Sequence, residues 1–185
     1  MTSAARPDNR GLMARAWVLC LPAVLLAATL PGARLFHDGQ FDGRTTRLPV
    51  FLARRPAEAA DEGLHEFYTR LLAVTASPAL HDGTWRLCTH SGWPDNATHQ
   101  QIVSWSWEHD GEPRCLIVVN LGDAPAQAQI SPAMGGLAGH TWILDDRLSG
   151  ERYERSGDEM TASGVFVALP PWGAHLFQLQ KWTTL

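Results

Sequence analysis

The sequence predicts a mostly β protein: an antiparallel β-sandwich or barrel of roughly 100 residues, preceded by a helix–strand–loop–helix segment. Three observations predict it. Short apolar runs, some with two-residue alternation, fill the part after Pro78. Turn residues separate these runs at short intervals. The helical period ends before Pro78, where the pattern changes to strands.

The first element is the apolar run Ala16–Leu30, AWVLCLPAVLLAATL, which follows Arg6, Arg10 and Arg15. Two readings stand for it: a secretion signal, or a buried helix kinked at Pro22 and stopped by Pro31-Gly32. It is shorter than the ~20 residues a membrane span needs, so no membrane is expected as a partner. Ala33–His37 reads as a buried strand running into His37-Asp38-Gly39-Gln40, and residues 41–57 as a loop rich in Gly, Arg and Pro. Asp61–Ala76 is a helix, because Leu64, Phe67, Tyr68, Leu71 and Leu72 recur at helical spacing. Asp61 and Glu62 sit in its first turn, where the dipole favours them.

Strands follow. Thr84–Thr89 is the first. In Ile102–Glu108, Val103, Trp105 and Trp107 alternate with Ser104, Ser106 and Glu108, which predicts a half-buried strand with the tryptophans in the core. Arg114–Leu121, RCLIVVNL, reads as a strand buried on both faces. Ala126–Ile130, Thr141–Asp145, Glu151–Arg155, Gly164–Leu169 and His175–Gln180 complete the set. Asp145 and Asp146 are neighbours in a strand, so their carboxylates face opposite ways and cannot converge on one bond; they read as a solvated strand end. Asp158-Glu159 reads as an exposed turn.

Composition removes several function classes. The net charge is −4, with no basic block and no Lys/Arg stripe among the aromatics, so nucleic acid is excluded as a partner. Eight tryptophans and long Val/Ile/Leu runs supply a sizeable core. Cys20, Cys88 and Cys115 form neither a disulfide framework nor a zinc motif. They read as buried thiols of a reducing compartment, with a Cys88–Cys115 bridge left open. The eight histidines show no metal-ligand spacing, so neither a metal nor another cofactor is expected.

The stretch Thr29–Glu58, TLPGARLFHDGQFDGRTTRLPVFLARRPAE, holds a Pro-Gly entry, an apolar strand, His37-Asp38-Gly39-Gln40, an Arg-containing loop and Arg54-Arg55-Pro56-Ala57-Glu58. Phe67-Tyr68-Thr69-Arg70-Leu71-Leu72 stands on the next helix. These blocks resemble the last barrel strand and helix of a subset of α-amylase-family glycoside hydrolases (glycoside hydrolase family 13). Leu116–Asp123, Trp142–Arg155 and Pro170–Leu179 resemble that family's C-terminal antiparallel β-sandwich. The resemblance implies that residues 1–76 are a partial (β/α)8-barrel remnant, equivalent to helix 7, strand 8 and helix 8, and residues 77–185 the sandwich. It moves Leu12–Leu30 toward the barrel-helix reading and the chain toward a cytoplasmic location.

Glycoside hydrolysis needs two carboxyl groups across the scissile bond. In the family these come from earlier barrel strands, so the resemblance assigns no catalytic residue to this chain. His37, Asp38 and Gln40 would lie at the C-terminal end of the last barrel strand, with Arg44 in the next loop, where barrel enzymes bind substrate. They either bond sugar hydroxyls or tie the loop together. Among the tryptophans, Trp93 in the Gly92–Asn96 loop is the expected exposed ring, suited to stacking on a sugar. Asn96-Ala97-Thr98 is a glycosylation sequon by pattern. Two functions compete. The first is the C-terminal fragment of an α-amylase-like hydrolase, inactive alone, with an α-glucan or oligosaccharide as ligand and an incomplete barrel face that invites association. The second is a secreted carbohydrate-binding sandwich with residues 1–33 as its signal peptide.

Overall fold

The alternating runs sort into two antiparallel sheets in the computed structural model, which describes residues 21–37, 39–46, 51, 54, 57–110 and 113–183. The strands are β1 Thr84–Leu87, β2 Thr89–Ser91, β3 Ile102–Glu108, β4 Arg114–Asn120, β5 Ala126–Ser131, β6 Thr141–Asp146, β7 Arg152–Ser156, β8 Val165–Leu169 and β9 Ala174–Lys181. One sheet has six strands in the order β1-β3-β4-β9-β6-β7, the other three in the order β2-β5-β8. The helices are α1, covering residues 21–29, α2, Glu62–Thr75, and α3, Gly157–Ala162.

The layers are helices, large sheet, small sheet. Leu116, Val118, Leu144, Phe177 and Leu179 of the large sheet pack against Ala126, Ala128, Ile130, Val165, Val167 and Leu169 of the small one. The other face of the large sheet carries Trp105, Trp107, Cys115, Ile117, Val119 and Leu176. Leu25 and Ala28 of α1 and Leu64, Tyr68, Leu71 and Val74 of α2 cover it. The indole N–H of Trp107 donates to the Thr29 carbonyl at 2.7 Å, fixing α1 to the sheet. Residues on both sides of position 76 therefore share one core.

Residues 115–120 are buried on both faces, as the continuous apolar run predicts, but the strand ends at Asn120 and Leu121 is 39% exposed. The β3 strand departs from its half-buried expectation, for Ser104 and Ser106 are as buried as Trp105 and Trp107. The small sheet lies over the serines, and the Ser106 hydroxyl is satisfied by donating to the Ala133 carbonyl at 3.2 Å. Small side chains face the second sheet and wide indoles face the helices.

Other elements also differ. Thr84–Thr89 breaks at Cys88, where the chain leaves the large sheet (β1) for the small one (β2). Ala33–His37 forms no ladder, since no neighbouring strand lies beside it among the described residues. Asp158-Glu159 belongs to the short helix α3, whose N-cap Ser156 accepts from the Glu159 N–H. Asp61 does not start α2 but caps it, accepting the Leu64 N–H at 3.1 Å. Cys88 and Cys115 are free and buried in the two different cores, on opposite sides of the large sheet. Cys20 lies outside the described residues.

Candidate functional site

The loop after residue 37 turns back through a short 3₁₀ segment, Gln40–Asp42, flanked by Gly39 and Gly43 at φ 81° and 66°. Positive φ there suits glycine, and a Cβ on Gly39 would also crowd the Arg44 side chain at 3.0 Å. Of the residues the sequence singles out, the structure brings His37, Gln40 and Arg44 together, while Asp38 lies outside the described residues. The His37 backbone N–H donates to Gln40 Oε1 at 3.0 Å. Gln40 Nε2 in turn donates to the Tyr68 hydroxyl of α2. Tyr68 is buried, with its ring against Phe36, Phe41 and Phe67. Arg44 donates through Nε to Asp42 at 3.0 Å and through Nη1 to the Glu58 carbonyl at 3.3 Å. Gln40 and Arg44 thus tie the loop to itself and to α2, and the His37 side chain is exposed.

Two carboxylates, Asp42 and Glu58, sit in this cluster. The hydrogen bond from Arg44 holds Asp42 below its ordinary pKa. The N–H and hydroxyl of Thr45, with the N–H of Thr46, bring Glu58 down to about 2. A glycosidase pair needs one carboxyl kept protonated near neutrality to act as the acid. Both groups here are held ionised, so these two carboxylates can accept from hydroxyls but neither is a proton donor of that kind.

A second titratable cluster corrects the expectation of a solvated strand end. The Asp146 side chain is 1% exposed. It accepts from His175 Nδ1 at 2.8 Å, the Ser149 hydroxyl at 2.7 Å, and the N–H groups of Leu148 at 3.1 Å and Leu176 at 3.2 Å. Burial pushes its pKa up, but these bonds outweigh it and the net shift is downward. Ser149 donates to the aspartate and not to the histidine, so this is no nucleophile triad. It pins the β6–β7 turn to β9. Asp145 faces the other way and pairs with Arg147 and Arg152.

Trp93 lies apart from these clusters, on the loop after β2, and is 37% exposed. Beside it stands Phe166 of β8, 49% exposed, with ring centroids 5.9 Å apart. Sequence reasoning finds Trp93 but misses Phe166. The alternation in Val165–Leu169 holds the signal, because Val165, Val167 and Leu169 turn inward and leave Phe166 outside. A cleft of about 580 Å³ runs between Pro31–Arg34 and Leu80, His81, Trp85 and Trp107, at the junction of helices and sandwich. Among the described residues no group of three His, Cys, Asp or Glu side chains could hold a metal, and no helix is long and apolar enough to cross a membrane.

The described chain is a two-sheet β-sandwich with two helices on one face and an extended segment, residues 33–37, that has no strand partner among the described residues. Solved structures share this architecture. A noncanonic maltogenic α-amylase from Thermotoga neapolitana superposes with a TM-score of 0.61 at 14% identity, over 88% of this chain and 37% of that one. A debranching enzyme from Nostoc punctiforme gives a TM-score of 0.53 at 18% identity, over 89% of this chain and 29% of that one. The chain therefore spans 37% or less of the length of either enzyme. No protein-family model and no curated protein matches the sequence. At these identities the likeness is one of fold, and it agrees with the α-amylase-family resemblance of the sequence blocks.

Proposed function

We propose that this chain is the C-terminal part of an α-amylase-like glycoside hydrolase, with residues 1–76 ending the barrel and residues 77–185 forming the sandwich behind it. One observation carries the reading. Residues 33–37 have Phe36 turned inward, 5.4 Å from Phe41 and 6.1 Å from Tyr68, while Leu35 is 93% exposed and no strand pairs beside them among the described residues. An apolar segment with a filled inner side and a bare outer side is what a barrel strand becomes without its neighbours. In this reading the chain is catalytically inactive alone, and purified protein gives no turnover of starch, maltooligosaccharides, sucrose or trehalose. Its substrate class is α-glucan, His37, Asp38, Gln40 and Arg44 lie near the substrate, and its partner is a polypeptide face that completes the barrel.

The core supports this over a secretion signal spanning residues 1–33. Leu25 and Ala28 are fully buried against the large sheet, and Trp107 depends on the Thr29 carbonyl. Cleavage after residue 33 would strip that core. Two unpaired buried thiols fit a reducing, cytoplasmic setting. The genomic sequence upstream of Met1 tests the reading. A stretch encoding barrel strands with the carboxylate pair, in frame or in an adjoining frame, is expected, and an upstream region without one overturns it.

A further inference from the structure

We propose that Trp93 and Phe166 form an α-glucan-binding corner on the outer face of the small sheet, on the side of the sandwich opposite α1 and α2. The face is built, not incidental. Gly92 leaves no room for a side chain, since a Cβ there would meet His99 Nδ1 at 2.2 Å, so the chain enters the loop close against that ring. Trp93 and Asn96 exchange backbone bonds at 3.4 and 3.0 Å. Asn96 Oδ1 accepts the Thr98 N–H at 3.0 Å and the Thr98 hydroxyl at 2.6 Å, and Asn96 Nδ2 donates to Gln127 Oε1 at 3.1 Å. The Gln127 N–H donates to the Thr98 hydroxyl at 3.0 Å. These bonds fasten the Trp93 loop to β5, while Phe166 stands on β8. A ring pair held this way gives up little freedom on binding.

The chemistry of the face selects its occupant. β2, β5 and β8 contain no Lys, Arg, Asp or Glu, and the Gly92–Asn96 loop adds only the carboxylate of Asp95. A membrane headgroup or a charged polymer finds no counter-charge on these strands. Aromatic faces flanked by carboxamides and hydroxyls match an uncharged polyol: the C–H face of a hexose stacks on a ring, and its hydroxyls reach amides. The Gln127 oxygen is taken by Asn96, which leaves its N–H donors without a protein partner among the described residues. Gln129, the register partner of Phe166, carries a carboxamide oxygen with no donor among the described residues. Rotation about its last torsion can present that group to a ligand hydroxyl.

The angle between the rings narrows the choice further. Their planes meet at 68°, so they form a corner and not a flat shelf. A β-1,4-glucan is a flat ribbon and can lie on one of the two rings. An α-1,4-glucan turns from unit to unit, so successive hexoses can each meet a ring. This inference does not rest on the barrel reading, because the face is complete within the sandwich.

Native affinity electrophoresis of the whole chain through gels containing amylopectin or hydroxyethyl cellulose tests it. Retardation by amylopectin alone is expected. Trp93→Ala should abolish the retardation, Phe166→Ala should weaken it about tenfold, and Phe166→Trp should restore or exceed the original. Unchanged melting of each variant shows that the fold is intact, and the Phe166→Trp gain cannot arise from unfolding. No retardation of the parent chain, or retardation that both alanine variants keep, overturns the proposal. Equal retardation by hydroxyethyl cellulose overturns the choice of linkage. None of these failures bears on the genomic test of the barrel reading.

Discussion

Leu71 is the sharpest probe of whether the helices and the sandwich unfold as one body. Its side chain is fully buried in α2, in the core that also holds Trp105, Trp107, Ile117 and Leu176. Leu71→Ala removes three carbon atoms from that core and leaves a cavity, a change that destabilises by about 3–5 kcal/mol in well-packed interiors. For a chain of this size each kcal/mol moves the melting temperature by roughly 2–4 °C, so a fall of about 6–20 °C is expected. Leu144→Ala, at a buried site between the two sheets, serves as the reference. Far-ultraviolet dichroism and tryptophan fluorescence, followed together on heating, should give one coincident transition that both variants shift alike. If Leu71→Ala instead moves only a minor helical transition and leaves the tryptophan signal at the parent temperature, the shared-core argument fails and the helices are a separate unit.

Three further predictions follow from the same packing. Asp146→Asn should destabilise the protein by about 2–4 kcal/mol at pH 7, because the buried bonds from His175 and Ser149 lose their anion. The folded-state pKa of Asp146 is depressed, so its contribution is present above the unfolded value of ~3.9 and is lost as pH falls through the folded one. The melting temperature of the parent should therefore drop more steeply than that of Asp146→Asn as pH is lowered below ~4, and parallel acid limbs would contradict this. Gly157→Ala should destabilise by several kcal/mol, since the new Cβ would meet the Leu137 carbonyl at 1.8 Å, whereas Gly139→Ala, strained at φ 75° but open to solvent, should cost about 1 kcal/mol. Equal melting points for the two would show that the chain around Leu137 yields. The chain should self-associate through its bare apolar segment, and Leu35→Asp with Phe51→Asp, at positions 93% and 97% exposed, should shift it toward monomer in size-exclusion chromatography at matched concentration. A monomeric parent chain would refute that.

Much of this fold is legible in the residues, and the failures have physical causes. RCLIVVNL announces a central strand because both faces are apolar, and the Leu64–Leu71 spacing gives α2 to within a residue at each end. Serine does not mark solvent in β3, because a small hydroxyl can hide under a second sheet, as that of Ser106 does with the Ala133 carbonyl accepting its proton. The break at Cys88 carries no Gly or Pro, since a strand can change sheets with only a local bend. Asp146 reads as solvated because its partners come from residues 148, 149, 175 and 176, which only the folded turn and the neighbouring strand bring to it. The candidate site divides in the same way. Gln40 and Arg44 are visible from their motif, yet their bonds to Tyr68 and Glu58 depend on where α2 lies. Trp93 stands out by its loop, and Phe166 becomes visible only when the inward face of β8 is known.

The two outer faces of the sandwich differ in a way that fixes which side can do what. On the large sheet the outward residues of β3 and β4 are Trp105, Trp107, Cys115, Ile117 and Val119, all buried by α1 and α2. Such a face cannot stand in water, because burying apolar area is worth about 25 cal/mol per Å² and two indoles alone present several hundred Å². It commits the sandwich to the helices above it. On the small sheet the outward residues are Thr89, Ser91, Gln127, Gln129, Ser131, Phe166 and Ala168, a surface polar enough to remain solvated with one phenyl ring set into it. Phe166 stays 49% exposed there, on the side of β8 turned away from the core. Its aromatic neighbour, Trp93, is itself held in place by a hydrogen-bonded turn. The large sheet thus supports the packing of the helices, and the small sheet is left free to meet a ligand without disturbing it.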